Sequence, residues 1–353
     1  MSTLKLESCV QSIVSGRDKL NQGSLYPLYG STGVIGLSDT YTYSGDYVLV
    51  ARVGANAGRV SKVSGKFNVT DNTLVITLKD NTLRDYIYYS LEQVNFKKLT
   101  FGTGQPLITG KILKSLPIRD RSFEEQLSLS SFLSTVDTKI SQLTEKHRLL
   151  KEYKKGVMQQ IFSQKMRLKD DGKAFPDWKT EAIGKYLEPY KELVPASTDL
   201  PVLTSSRTGL YIQERSVINE GEYGVLPLGY FTYRHMSDDL VFKFNVNRDY
   251  ERGAVSKEYP VFKTIGMDTY FLETKLNEGH EFKRFAIQQK QGGTRTRLYF
   301  KNLKKLKLSL PCLSEQQKIT QFLQSIDKKI DSITEQIEQT KQFKKGLLQQ
   351  MFV

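Results

Sequence analysis

Between Leu129 and Ile161, apolar residues recur at alternating spacings of three and four, and polar residues fill the intervals. With Leu129, Val136, Leu143, Leu150 and Val157 at d, the a positions are Leu133, Ile140, His147, Lys154 and Ile161. A heptad sustained this long predicts a helix from about Phe123 to Ser163 with a coiled-coil seam. At ~1.5 Å per residue, about 40 residues make a rod of roughly 60 Å. The register returns at the end of the chain, with Ile319, Ile326, Ile333, Thr340 and Leu347 at d and Leu323, Ile330, Ile337, Lys344 and Met351 at a. His147, Lys154, Thr340 and Lys344 interrupt the apolar stripe, which costs stability but can fix register and orientation.

The second helix repeats the first. Phe132-Leu133, Asp137, Lys139-Ile140, Thr144-Glu145, Lys154-Lys155-Gly156, Gln159-Gln160 and Phe162 return, 190 residues later and without a gap, as Phe322-Leu323, Asp327, Lys329-Ile330, Thr334-Glu335, Lys344-Lys345-Gly346, Gln349-Gln350 and Phe352. The unit is far longer than a solenoid repeat, so the chain reads as two halves, each a globular module followed by the same helix. Two copies of one helix point to pseudo-two-fold symmetry, and hence to a two-fold target.

Both modules read as mixed and β-rich. In the first, Tyr47–Val53 is a buried-strand pattern running into the loop Gly54-Ala55-Asn56-Ala57-Gly58; Thr73–Leu78 is a second strand, and Leu83–Leu91 a helix. In the second, the strand patterns are Gly224–Tyr233 and Leu240–Phe244, entered through Phe175-Pro176-Asp177-Trp178. A Gly-Thr turn, Gly102-Thr103 or Gly293-Thr294, precedes a short strand and then the long helix in each half. The expected layout is therefore α+β: module 1–121, helix 122–166, module 167–312 and helix 313–353, with the helices pairing antiparallel.

The balance of 52 Lys+Arg against 38 Asp+Glu, net +14 over 353 residues, favours a polyanionic partner. Cys9 and Cys312 stand alone, which argues against a disulfide framework or zinc site and fits a reducing cytoplasm. No apolar run reaches the roughly 18 residues that a membrane span requires. From Lys283 to Lys307 nine basic residues occur without one acid, interleaved with Gln288, Gln289, Gln291, Thr294, Thr296 and aromatic rings. Basic side chains neutralise phosphates, and Arg, Gln and Thr can read base edges. Candidate DNA contacts in the second module are Arg207, Arg234, Gln291, Thr294, Arg295, Thr296, Arg297, Lys301 and Lys304. In the first they are Arg52 and Arg59 flanking the glycine loop, Asn56 at its tip, Thr103, Gln105 and Lys111.

Catalytic constellations are missing. Phe101-Gly102-Thr103-Gly104 lacks a following P-loop lysine. Asp177 and Glu181 lack the acid-x-Lys order of a common nuclease core, and the Asn/Asp-Pro-Pro-aromatic tetrad of amino-methyltransferases does not occur. His147, His235 and His280 lack metal-ligand spacing. The competing readings are a self-sufficient enzyme with a degenerate site and a coiled-coil scaffold that binds nucleic acid without sequence preference.

With these features in place, the whole chain resembles the specificity subunits of type I restriction–modification enzymes. The resemblance is carried by the module–helix–module–helix order, by Tyr26-Pro27-Leu28-Tyr29-Gly30-Ser31-Thr32-Gly33, Val50-Ala51-Arg52-Val53-Gly54-Ala55 and Gly102-Thr103-Gly104-Gln105-Pro106, and by Phe175-Pro176-Asp177-Trp178 and Gly292-Gly293-Thr294-Arg295. Glu125-Gln126, Glu315-Gln316 and the two Lys-Lys-Gly triplets are similar to the family's helix signature. The first module begins almost directly at Met1, so less complete circular closure of the two halves is expected than in some relatives.

The resemblance implies a non-catalytic subunit. Each module would read one half of an asymmetric bipartite DNA site, and the helices would set the spacer. Two modification (methyltransferase) subunits and restriction (translocase-nuclease) subunits would be its partners; S-adenosylmethionine, ATP and Mg2+ would belong to those partners. On this view the seam lysines fix half-site spacing, and replacing Lys154 and Lys344 by Leu should loosen its one-nucleotide precision.

Overall fold

The computed structural model describes residues 2–20, 23–80, 82–99, 106–213, 221–290 and 295–352. Its α-helices are α1 (Arg84–Glu92), α2 (Gly110–Lys114), α3 (Phe123–Phe162), α4 (Thr269–Glu278), α5 (His280–Gln288), α6 (Phe300–Leu303) and α7 (Leu313–Phe352). The chain forms two compact units, Met1–Lys146 with Ile333–Val353, and His147–Ser332, so each of the 40-residue helices α3 and α7 contributes to both.

In the first unit the strands are β1 (Thr3–Lys5), β2 (Val10–Ser15), β3 (Tyr26–Gly30), β4 (Gly33–Ser38), β5 (Tyr43–Ala51), β6 (Val60–Val69), β7 (Thr73–Leu78) and β8 (Pro117–Arg119). Six of them form a sheet of order β2-β7-β5-β6-β3-β4, antiparallel except for β3 beside β6. Val48 opposes Ile76 and Val50 opposes Leu74; both pairs face α1, whose Tyr86, Ile87 and Leu91 complete that core. Leu49 and Val75 face the other way, onto Phe67, Val63 and Val69. Burial on both faces explains why these strands read as continuous apolar runs rather than alternations.

The second unit has a four-stranded sheet in which Leu187–Tyr190, Val261–Thr264, Phe231–Tyr233 and Phe244–Val246 lie side by side. Phe231 and Phe262 stack there at 4.9 Å, in a core that also takes Val157 and Ile161 of α3 and Ile319, Leu323, Ile326 and Ile330 of α7. The expected strand Gly224–Tyr233 is divided: Glu222–Pro227 and Phe231–Tyr233 are separated by a turn at Gly229, whose φ is +81°. The expected strand Leu240–Phe244 is absent up to its last residue, because Leu240 has a left-handed φ of +64° and pairing begins at Phe244.

Each long helix grows from a two-stranded root. β1 pairs with β8 ahead of α3, and Lys179–Ala182 pairs with Lys307–Leu310 ahead of α7. The α3 start is a capping box: the Glu125 N–H donates to Ser122 Oγ (3.2 Å) and the Ser122 N–H to Glu125 Oε2 (2.9 Å). At the α7 start the repeat-equivalent Glu315 is buried and accepts instead from Arg167 and Trp178. The next residue of each copy does one job twice. Gln126 Oε1 accepts from the N–H of Leu83, just before α1, and Gln316 Oε1 from the N–H of Asp268, just before α4.

Of the expected seam positions, Leu133, Val136, Leu143, Val157, Leu323, Ile326, Ile330, Ile333 and Ile337 are buried, and Ile140, Leu150 and Leu347 are half-buried. Near the end of α7 it is Leu348, not Leu347, that is buried, packed on Leu133 and Tyr89. A straight helix drifts against a seven-residue repeat, and here the stripe turns toward the module's own tyrosine.

Candidate nucleic-acid interface

In the second unit, Met236 pairs with Arg297 and Ser237 with Thr296, a short ladder that joins the middle of the basic run to the segment after Tyr233. Beside it a cavity of 350 Å³ is lined by Gln289, Arg295, Thr296, Arg297, Tyr299, Lys301 and Asn302. A second cavity of 420 Å³ takes Arg207, Arg234 and Lys243 together with Tyr211, Tyr259 and Asp238. Six of the residues singled out in the sequence therefore border two cavities joined by one ladder. Thr296 is the exception in exposure: at 5% it is buried beneath the surface it helps to shape. Lys304 is exposed but lines neither cavity; its carbonyl accepts from the Gly184 N–H at 3.0 Å, an approach that a Cβ on residue 184 would block.

Acids absent from the basic run are supplied from elsewhere in the chain. Arg295 Nε donates to Asp238 Oδ1 at 3.0 Å, and Arg207 Nη2 to Asp239 Oδ1 at 2.6 Å. Ser237 Oγ also donates to Asp239 (2.9 Å), and with Arg207 this holds that carboxyl below the ordinary range. An arginine tethered at one edge keeps its other N–H groups in a fixed fork, the geometry that bidentate base recognition uses. Next to Arg234 in sequence, His235 has a buried Nδ1 with no hydrogen-bond partner. Burial foremost, opposed by Glu258 and reinforced by the charges of Arg297 and Arg234, pulls its pKa down, so the imidazole stays neutral at physiological pH. Sequence reasoning missed Asp238, Asp239, Lys243, Tyr211 and Tyr259; the signal was the pair of adjacent acids four residues after Arg234.

In the first unit Arg52 sits at the end of β5, half-buried, with Nη1 donating to Ser15 Oγ at 3.4 Å and its buried Nε without a partner. Gly54–Asn56 is a turn of 3-10 helix, and the Asn56 carbonyl accepts from the Arg59 N–H at 2.9 Å. Gly58 follows at φ +88°, where a Cβ would lie 2.2 Å from Phe96; no other residue fits. Arg59 is exposed and donates to the Thr32 carbonyl at 3.2 Å. The Ile108 N–H donates to the Arg52 carbonyl (2.8 Å), which brings the segment leading to α2 beside the start of the glycine loop; Lys111, within α2, is exposed. Thr103, Gln105, Gln291 and Thr294 lie outside the described residues.

Comparison with known proteins gives this arrangement its class. The model of the type I restriction modification DNA specificity domain matches residues 13–152 and 261–342, together more than half of the chain. The chain belongs to the family of type I restriction–modification specificity subunits. The MjaVIII specificity subunit of Methanocaldococcus jannaschii is 25% identical over 340 residues, covering 85% of this chain and 77% of that protein. The EcoprrI specificity subunit of Escherichia coli is 26% identical over 133 residues, 37% of this chain and 33% of that longer protein. In fold, the chain is similar to the S subunit of the type I restriction–modification system of M. genitalium, with a TM-score of 0.64 at 13% identity, over 100% of this chain and 96% of that one. Among the described residues no helix is long and apolar enough to cross a membrane.

Proposed function

We propose that the chain is the non-catalytic, sequence-reading subunit of a cytoplasmic type I restriction–modification complex. The module within 1–121 reads one half of an asymmetric bipartite DNA site and the module within 167–312 reads the other. The helical regions 122–166 and 313–353 pair as an antiparallel coiled coil and fix the spacer. Two modification subunits and the restriction subunits dock on this core. S-adenosylmethionine, ATP and Mg2+ belong to those partners, and the specificity chain contributes recognition alone.

The observation that carries this reading is the register of two ion pairs. Asp137 of α3 meets Lys344 of α7, and Lys154 of α3 meets Asp327 of α7. Seventeen residues forward on α3, from 137 to 154, correspond to seventeen residues back on α7, from 344 to 327, the spacing that an antiparallel pairing calls for. The pairs are exchanged by the 190-residue repeat, as a two-fold axis requires. Mapping methylated adenines across the host genome tests the proposal. One split motif with unlike halves and a fixed gap is expected, and it should vanish on deletion of the gene; an uninterrupted motif, or one that survives deletion, rejects it.

Base-reading and phosphate-binding residues should separate in titrations at several salt concentrations. Arg295→Ala is expected to cost about 1–3 kcal/mol and to relax base choice in one half-site only. Lys304→Ala is expected to weaken binding to every sequence alike and to lower the salt slope by about one. Asp238→Ala should reproduce part of the Arg295→Ala relaxation, since it removes the tether and leaves the guanidinium. Relaxation in both half-sites by Arg295→Ala would count against one module per half.

A further inference from the structure

Each unit contains a Lys–Asp–Tyr cluster in which three parts of the chain meet. In the first, Tyr89 Oη of α1 donates to Asp137 Oδ2 at 2.8 Å, Lys344 Nζ lies 2.8 Å from Asp137 Oδ1, and the ammonium is 5.3 Å from the Tyr89 ring centroid. In the second, Tyr270 Oη of α4 donates to Asp327 Oδ2 at 2.5 Å, and Lys154 Nζ reaches Asp327 Oδ1 at 2.5 Å and Tyr270 Oη at 3.2 Å. Burial, then the hydrogen bond to the aspartate, pushes both phenols up, so both remain donors. Burial works against charge on Lys344, but hydrogen bonds to Asp137 and Glu92 outweigh it and keep the amine protonated.

The aspartates and lysines are duplicated; the tyrosines are not. Tyr89 is the sixth residue of α1 and Tyr270 the second of α4, in modules with little sequence in common. Two unlike modules thus present the same group to the same socket from different helical positions. Gln126 and Gln316 add a second fixed point, gripping the backbone just before α1 and α4, eleven residues before the aspartate in both copies (126 to 137, 316 to 327). Ordinary core packing does not call for this chemistry. The lysine side chains are only 11% and 21% exposed, and a half-buried pair of this kind gains little over well-packed apolar residues. What it adds is discrimination. Slipped by one heptad, Lys154 would face Thr320 or Thr334 and Lys344 would face Ser130 or Thr144, none of them an acid.

We propose that these two clusters are keyed seats, in which Tyr89 and Tyr270 are positioning residues that fix where each reader sits on the helix pair and thereby hold the half-site spacing to one base pair. This rests on the function proposed above. The test uses the full chain, assembled with its methyltransferase subunits, on duplexes whose spacer is native or altered by one base pair. Tyr89→Phe with Tyr270→Phe deletes two hydroxyls and no packing volume. It is expected to reduce discrimination against the altered spacers about tenfold while base preference within each half-site is retained. Lys154→Asp alone should do the same, and Lys154→Asp with Asp327→Lys should restore the wild-type spacing preference, which a merely structural loss would not. Folded tyrosine variants with unaltered discrimination, or a folded charge exchange without recovery, would overturn the inference. A wild-type complex that shows no spacing preference at all would instead overturn the functional reading beneath it.

Discussion

A fragment ending at Ser163 is expected to dimerise and to recognise an inverted repeat of the first half-site. Within the first unit, the last turns of α7 supply four things: Lys344 to Asp137 and Glu92, Leu348 to Leu133 and Tyr89, Leu347 to the same cluster, and Phe352 against Tyr86 at 5.3 Å. The repeat places equivalents of each in α3 itself: Lys154 for Lys344, Met158 for Leu348, Val157 for Leu347 and Phe162 for Phe352. A second copy of the fragment, running antiparallel, would therefore bring its own Lys154 to Asp137 and its own Phe162 to Tyr86. Leu-to-Met exchange in a core costs little. Sedimentation should give a dimer for 1–163 and a monomer for 1–146, which lacks those turns. Selection from random duplexes should recover a palindrome from the longer fragment. A monomeric 1–163 would reject the two-fold argument.

How much of this was legible in sequence depends on the range of the interaction concerned. The long helices were, because heptad spacing is a local signal. Thr73–Leu78 was also legible, since a strand buried on both faces is a contiguous apolar run. Leu240–Phe244 was not: its apolar residues match a strand, but a left-handed residue at 240 turns the chain. In the candidate interface the basic run was visible as a run, whereas its counter-acids were not, for Asp238 lies 57 positions from Arg295. Their place in the heptad marks the seam lysines as register devices. Their partners could be named only once the register was known, because Lys154 and Asp327 are 173 residues apart.

The largest expected loss of stability follows from Arg167. The Glu315 carboxylate, 1% exposed at the start of α7, accepts from Arg167 Nε (3.2 Å) and Nη2 (2.8 Å) and from Trp178 Nε1 (3.1 Å). The same guanidinium donates to the carbonyls of Phe175 and Pro176 and to Asp177. It thereby fastens the entry segment Phe175-Pro176-Asp177-Trp178 to the root of the helix. Beside it, Lys275, fully buried, places its ammonium 4.9 Å from the Phe162 ring and 5.2 Å from the Trp178 ring, with Glu281 at 2.7 Å. Arg167→Met would leave Glu315 ionised in this interior with only the indole N–H, and breaking a buried pair from one side costs about 3–5 kcal/mol. Replacing both partners removes the stranded charge along with the pair, so Arg167→Met with Glu315→Met should recover most of the loss. Urea titration of the full chain, followed by the fluorescence of its single tryptophan, Trp178, reports on this joint directly. A midpoint that moves by less than about 1 kcal/mol equivalent in Arg167→Met, or a double variant weaker than the single, would show that solvent rather than Arg167 holds the Glu315 charge.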